Sequence, residues 1–203
     1  MILSHLVLGF VTSFIGYTPP SMLNITASKI YLENNKKIAR QFIIGVSTIV
    51  LLQVFLAIKI SEFLEKQPQL IHWIQNLGII IFSILSVLFI YKGLTNQKTQ
   101  EIKPVKNGFL FGLSLSSINM FAIPFFAITH SSFVMHGWAM SGFACTSLFG
   151  IGTVLGTFAI LNSYVFLAKK VEDKIIIYAK YFNLLIGIIT GIVAIYSIIK
   201  LYF

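Results

Sequence analysis

The sequence predicts an all-α integral membrane protein, with a single membrane domain over residues 1–203 that contains six transmembrane helices. Of the 203 residues, 57% are hydrophobic and only 10% are charged. So few polar side chains cannot cover the surface of a water-soluble globular protein. The apolar runs also have the right length, because a hydrocarbon core of about 30 Å needs roughly 20 apolar residues per helix. The runs lack the alternation of barrel strands, so helices are favoured.

Six uncharged or nearly uncharged runs define the predicted spans. In chain order they are Ile2–Ser28, Gln41–Ile60, Trp73–Tyr91, Asn107–Thr129, Trp138–Ala168 and Tyr178–Leu201. No Lys or Arg precedes the first run, and no small-residue cleavage site follows it at the usual distance. We therefore interpret the first run as a membrane helix and not as a cleavable signal peptide.

The fifteen Lys and Arg residues are distributed unevenly between the loops. Twelve lie in the first, third and fifth connections: Lys29, Lys36, Lys37, Arg40, Lys92, Lys98, Lys103, Lys106, Lys169, Lys170, Lys174 and Lys180. The other three are Lys59, Lys66 and Lys200. The positive-inside rule then predicts that loops 1, 3 and 5 are cytoplasmic and that both termini are outside. Contact with the lipid bilayer is expected, whereas no loop is long enough for a nucleic-acid-binding module.

The predicted spans contain no carboxylate. All six acids fall in loops or at helix ends: Glu33, Glu62, Glu65, Glu101, Glu172 and Asp173. The single cysteine, Cys145, has no disulfide partner in the chain, and the spacing of the histidines suits no metal: His5, His72, His130 and His136. Because no hydrolytic constellation can form within the membrane, we predict that the chain is not an enzyme. We also expect no metal and no cofactor.

Two prolines interrupt the first apolar run in the segment GYTPPSML, residues 16–23. Pro19 and Pro20 have no N–H and clash with the preceding turn, so carbonyls four residues earlier lose their helical partners. A helix that resumes at Pro20 or Ser21 would offer its N-terminus to a carboxylate, and the freed carbonyls would suit an ammonium group. The alternative is a kink satisfied by neighbouring hydroxyls or by water, without a ligand.

A second break is predicted in helix 4 near Asn119 and Pro124. At about 1.5 Å per residue, Pro20 lies roughly 28 Å from the outer start of helix 1, and Pro124 lies roughly 24 Å from the inner start of helix 4. The two breaks are therefore at comparable depths in opposite directions. We interpret the chain as two inverted three-helix repeats, residues 1–103 and 104–203.

Glycines and polar residues recur in both halves. Short matches pair Gly9-Phe10 with Gly108-Phe109, Asn76 with Asn183, and Gly45 with Gly152. Three Gly-x-x-x-Gly pairs favour close helix packing: Gly108 with Gly112, Gly152 with Gly156, and Gly187 with Gly191. Packing within the chain is favoured, and a homo-oligomer contact is the alternative. Polar stripes on helices 2 and 5 either line a pathway or bond their own helix: Ser47, Thr48, Gln53, Thr153, Thr157 and Asn162.

The order of these features resembles that of a known family. They are a Thr-Pro-rich break in the first helix, a basic turn, a glycine-bearing second helix, and a Ser/Asn break in the fourth helix. Together they resemble the LysE-type (lysine exporter, RhtB-like) superfamily of amino-acid efflux proteins, in particular its divergent Bacteroidetes-type members. The family's Thr-Pro-Gly-Pro run and the Asn or Asp after it correspond to Thr18, Pro19, Pro20, Ser21 and Met22. Lys29 corresponds to the family's Arg, and Asn119-Met120 to its Asn-Pro pair, with Pro124 further on.

The resemblance implies an inner-membrane exporter of amino acids or related small polar metabolites. We predict alternating access around substrate-binding residues in the two breaks: Thr18, Pro19, Pro20, Ser21, Asn24, Ser116, Ser117 and Asn119. Coupling to a proton gradient stays open, because no membrane carboxylate is present to carry the proton. The alternatives are a passive channel and a non-transporting membrane scaffold.

Overall fold

The structure, a computed structural model, is all-helical. It describes residues 2–95, 105–119, 121–140 and 142–202. Within these residues there are seven helices and no strand, which confirms the all-α class. Of the features predicted from the sequence, Lys98, Glu101, Lys103, Met120 and the repeat boundary at 103–104 lie outside the described residues.

The helices differ in length from 11 to 60 residues. In chain order they are α1 (Ile2–Tyr17), α2 (Met22–Glu33), α3 (Lys36–Glu65), α4 (Pro68–Leu94), α5 (Gly108–Ile118), α6 (Ala122–Met135) and α7 (Phe143–Tyr202). Three segments of the described chain are long and apolar enough to cross a membrane: Lys36–Leu64, Phe143–Lys170 and Lys180–Leu201. The number rises to five if α1 with α2, and α5 with α6, each count as one bent span.

Local sequence signals explain where several helices begin. The Asn35 side chain accepts a hydrogen bond from the Ile38 amide at 2.9 Å, and the Asn107 side chain accepts one from the Leu110 amide at 3.1 Å. Both asparagines satisfy an amide that has no acceptor within its own helix. Pro68 begins α4, where a missing N–H costs nothing.

The predicted fifth loop, between Ala168 and Tyr178, differs from the structure. Helix α7 continues through these residues from Phe143 to Tyr202. Between Gly156 and Gly187 the sequence contains neither Gly nor Pro, so no helix-breaking residue separates the two predicted spans. The Lys and Glu residues that suggested a loop are themselves good helix formers.

The chain divides into two compact units. The first contains Met1–Phe63 and Glu101–Glu172, and the second contains Leu64–Gln100 and Asp173–Phe203. The first unit therefore holds α1, α2, α5, α6, most of α3 and the N-terminal part of α7. Its core has fully buried aromatic and aliphatic side chains, among them Phe42, Phe126, Phe149, Ile30 and Leu161.

In the first unit α1 crosses α7 with backbone-to-backbone contact. A Cβ added at Gly152 would overlap the carbonyl oxygen of Leu6, and one added at Gly9 would overlap the carbonyl oxygen of Phe149. Each helix therefore places a glycine on a carbonyl of the other. Only glycine permits so close an approach.

The crossing of α3 and α5 has the same pattern. A Cβ at Gly45 would overlap the carbonyl oxygen of Phe109, and one at Gly112 would overlap the carbonyl oxygen of Phe42. The first two helices of the predicted first repeat thus each contact a helix of the predicted second repeat. Gly108 also meets α3, at the Ile38 carbonyl.

In the second unit α4 packs on the C-terminal part of α7. A Cβ at Gly187 would lie 2.8 Å from the Ile90 amide nitrogen, and one at Gly191 would lie 2.7 Å from the Ser86 hydroxyl. The Ser86 hydroxyl donates to the Gly187 carbonyl at 2.8 Å. Each of the three Gly-x-x-x-Gly pairs therefore faces another helix of the same chain.

Candidate functional site

The first interruption separates α1 from α2, which are bent by 78° relative to each other. Helix α1 ends at Tyr17 and α2 begins at Met22, so Pro19 and Pro20 lie between the two helices. The Thr18 amide donates to the Ile15 carbonyl at 3.1 Å, which closes the last turn of α1. The Ile15 carbonyl, which we expected to be freed, thus has a local donor.

Side chains satisfy the carbonyls of Tyr17, Thr18 and Pro19. The Asn24 Nδ2 donates to the carbonyl oxygens of Tyr17 at 2.6 Å and Pro19 at 2.9 Å. The Tyr164 hydroxyl of α7 donates to the Thr18 carbonyl at 2.6 Å. Asn24 is completely buried, and its Oδ1 accepts from the Ser21 hydroxyl at 3.0 Å. These three carbonyls therefore accept hydrogen bonds from side chains of the protein itself.

At the N-terminus of α2 the first backbone amides, unlike these carbonyls, are left without a partner in the helix. Ser21 is its N-cap in an extended conformation, and the serine side chain makes no capping hydrogen bond. The Ile25 amide donates to the Ser21 carbonyl at 3.0 Å, which is the first bond of the helix. The earlier amides have no acceptor within the helix, so they give this end a partial positive charge.

The second interruption separates α5 from α6, which are bent by 68°. Helix α5 ends at Ile118, Asn119 is its C-cap, and α6 begins at Ala122. Pro124 lies inside the first turn of α6, where its missing N–H costs no helical hydrogen bond. The Gln53 Nε2 of α3 donates to the carbonyl oxygens of Ser116 at 3.0 Å and Asn119 at 3.1 Å.

The two interruptions lie against each other. A Cβ added at Gly16 would be 2.8 Å from the ring of Phe125 on α6. The Tyr17 hydroxyl lies beside the Asn119 side chain, but it makes no hydrogen bond of good geometry with any described residue. The last turn of α1 therefore packs on Asn119 and on Phe125 of α6.

The predicted hydroxyl residues divide into buried and exposed groups. The Thr18 hydroxyl donates to the Phe14 carbonyl at 2.7 Å and the Ser117 hydroxyl to the Leu113 carbonyl at 2.8 Å, and both residues are exposed. The buried Ser116 hydroxyl instead donates to the Val46 carbonyl of α3 at 3.4 Å. The hydroxyls of Thr18 and Ser117 thus bond carbonyls one turn earlier in the chain, as Ser and Thr side chains in membrane helices often do.

The polar stripes also divide. Thr48 and Asn162 bond carbonyls of their own helices. Thr157 is fully buried and shares a 2.6 Å hydrogen bond with the Ser13 hydroxyl across the α1–α7 crossing. Gln53 contacts the second interruption, so among the predicted stripe residues it is the one whose side chain joins the candidate site.

Two site residues were not selected from the sequence, namely Tyr17 and Tyr164. Tyr17 directly precedes Thr18-Pro19-Pro20, so its position next to a break was a usable signal. Tyr164 lies 146 residues from Thr18 along the chain, and no local pattern connects them. A shallow depression of about 340 Å³ lies elsewhere on α7, lined by Asn162, Ser163, Phe166 and Leu167, and none of the predicted site residues lines it.

No protein-family model, no curated protein and no solved structure matches this chain. In the part of the chain that the structure describes, no group of three or more His, Cys, Asp or Glu side chains is arranged to hold a metal ion. The two interruptions are therefore the features of the molecule from which a function can be inferred.

Proposed function

We propose that this protein is a secondary transporter that exports amino acids or related small polar metabolites across the bacterial inner membrane by alternating access. The observation that carries the proposal is the contact between the two interrupted helix pairs at Gly16, Tyr17, Asn119 and Phe125. Discontinuous helices that meet in the membrane are a common way for transporters to present helix ends to a substrate. The resemblance to LysE-type proteins points to the same class.

In this proposal each bent pair is one broken membrane span, and the two halves are inverted repeats. The matching glycine contacts support this interpretation, because Gly152 meets the Leu6 carbonyl as Gly45 meets the Phe109 carbonyl. Two crossings of the same type, formed between different halves, are expected when a pseudo-two-fold axis relates the repeats. Rocking of the halves about the interruptions then exposes the site alternately to each side.

The proposed topology has both termini outside and loops 1, 3 and 5 in the cytoplasm. It requires the chain to reverse direction between Lys170 and Lys180, where the structure instead has the continuous helix α7. The flanking segments Phe143–Lys170 and Lys180–Leu201 are each apolar enough to span a membrane. The segment between them carries Glu172, Asp173 and Lys174, whose charges are costly in hydrocarbon.

The substrate carboxylate is assigned to the N-terminus of α2, beside Pro20 and Ser21, because the first helical amides have no acceptor there. The Asn119 side chain is assigned to bind the amino group of the substrate. The Ile15 carbonyl that we first expected in this role accepts from the Thr18 amide, and the carbonyls of Tyr17, Thr18 and Pro19 are occupied by Asn24 and Tyr164. The substrate is therefore held by a helix end and side-chain amides without a buried formal charge.

Flux of labelled amino acids in reconstituted vesicles tests the proposal. Wild type is compared with Pro20→Ala and Asn119→Ala, and with the matched controls Pro68→Ala and Asn183→Ala from the second unit. We expect saturable, substrate-selective flux in wild type and both controls, and reduced flux in both site variants. Equal flux in all five proteins contradicts the site, and non-saturable flux without selectivity indicates a channel.

A further inference from the structure

Two buried oxygen atoms at the second interruption have no hydrogen-bond partner among the described residues. They are Oε1 of Gln53 and the hydroxyl of Tyr17. Both residues are more than nine-tenths buried, with exposed fractions of 7% and 6%. A buried polar atom without a partner is destabilising, so a polar group left in this state needs an explanation.

The orientation of the Gln53 amide is fixed by its neighbours. Its Nε2 donates both hydrogens, one to the Ser116 carbonyl at 3.0 Å and one to the Asn119 carbonyl at 3.1 Å. A flipped amide would place Oε1 against these two acceptor oxygens and would lose both bonds. The atom left over is therefore an oxygen, which can bind a cation or a hydrogen-bond donor but not an anion.

Both residues contact Asn119. Gln53 contacts the Asn119 carbonyl, and the Tyr17 hydroxyl lies beside the Asn119 side chain. Two helix C-termini also meet there, since α1 ends at Tyr17 and α5 ends at Ile118. Helix C-termini carry a partial negative charge, and each carbonyl that accepts one hydrogen bond keeps a second lone pair.

No Lys, Arg, Asp or Glu is among the buried residues that the structure describes. The partial negative charge at the interruption is thus not neutralised by a buried basic side chain. A divalent ion would need carboxylates to offset the cost of leaving water, whereas a monovalent ion can be held by neutral oxygens. The chemistry of the site therefore favours a single positive charge.

We propose that a monovalent metal cation binds between the end of α1 and the α5–α6 interruption, with Gln53 Oε1 and the Tyr17 hydroxyl as ligands. Unwound backbone and helix C-termini provide such sites in other membrane proteins. The inference concerns binding alone and needs no transport activity. It can therefore hold or fail independently of the proposed function.

Binding of ²²Na⁺ and of ⁸⁶Rb⁺, as a substitute for K⁺, to the purified full chain in detergent tests the proposal. We expect saturable binding of at least one of these ions at about one per chain, and no competition by choline. We also expect that the bound ion raises the thermal unfolding temperature relative to choline chloride at equal ionic strength. Absence of saturable binding of both ions overturns the proposal, and indicates that water alone satisfies the two oxygens.

The decisive variant is Tyr17→Phe, which removes one proposed ligand and keeps the ring. We expect ion affinity to fall by about tenfold or more, while stability in choline chloride is unchanged or higher. Ser47→Ala is the matched control, because the Ser47 hydroxyl is also buried and unpartnered among the described residues but has no role in the proposed site. Equal ion affinity in wild type, Tyr17→Phe and Ser47→Ala contradicts the assignment. Gln53→Leu is expected to abolish binding, but it also removes two structural hydrogen bonds.

Discussion

The side-chain Nδ2 of Asn24 donates a 2.6 Å hydrogen bond to the backbone carbonyl of Tyr17, seven residues earlier. The first residues of α2 thus hold the last residue of α1 across the two prolines. Because both groups are buried and the same Nδ2 also bonds the Pro19 carbonyl, the bend does not depend on solvent. The interruption is a fixed element of the fold.

Asn24→Asp is expected to destabilise the protein by about 1–3 kcal/mol, because it removes the donor from two carbonyls in nearly the same volume. The measurement is the unfolding free energy of the purified chain in detergent. Asn162→Asp is the control, since the Asn162 side chain bonds only the Phe158 carbonyl of its own helix and is half-buried. If Asn24→Asp lowers the unfolding free energy no more than Asn162→Asp does, Asn24 does not stabilise the bend between α1 and α2.

Gly152→Ala is expected to cost about 3 kcal/mol or more, because the added Cβ meets the Leu6 backbone and no side chain can move to relieve the overlap. Gly78→Ala is the control: nothing lies within 4 Å of a Cβ at that position, and alanine favours a helix by up to about 1 kcal/mol. The thermal unfolding temperature should therefore fall for Gly152→Ala and rise for Gly78→Ala. Similar stability of both variants would contradict the close crossing of α1 and α7.

The hydrogen bond between the Ser13 and Thr157 hydroxyls predicts energetic coupling across the same crossing. Thr157→Val should cost about 1–2 kcal/mol, because it leaves the buried Ser13 hydroxyl without its partner. In a double-mutant cycle with Ser13→Ala, the coupling energy should be about 1 kcal/mol. Additive effects of the two substitutions would show that the hydroxyls do not interact.

The proposed topology predicts which positions an impermeant thiol reagent reaches in intact cells. In a Cys145→Ser background, Lys36→Cys and Lys174→Cys should react only after the cells are permeabilised, and Lys66→Cys should react in intact cells. Lys200→Cys should also react in intact cells; if it reacts only after permeabilisation, like Lys174→Cys, α7 does not reverse between Lys170 and Lys180.

The sequence is most informative where the controlling chemistry is local. Composition and run length are enough to predict an all-α protein with membrane-spanning helices. Similarly, α1 ends next to Pro19 and Pro20, where the loss of two N–H groups makes helix continuation unfavourable. Asn24 could be selected as a polar residue that follows a break.

The remaining features depend on contacts that are distant in sequence. The bond from Tyr164 to Thr18 joins residues 146 positions apart, and the bond from Gln53 to Asn119 joins residues 66 positions apart. The helical structure of the expected fifth loop was missed for another reason. Charge predicts which residues avoid lipid, whereas helix continuity between Gly156 and Gly187 depends on the absence of Gly and Pro.

The glycine crossings also constrain the order in which the molecule is assembled. Ser13 and Thr157, partners at the α1–α7 crossing, lie 144 positions apart, so a ribosome completes most of the chain before α1 can reach its neighbour. Until then Gly9 faces lipid or a non-native neighbour. Formation of contacts between residues so distant in sequence is slow. Residues 1–103 made alone should therefore insert into the membrane but stay sensitive to protease. Co-synthesis with residues 104–203 should restore a compact, protease-resistant product.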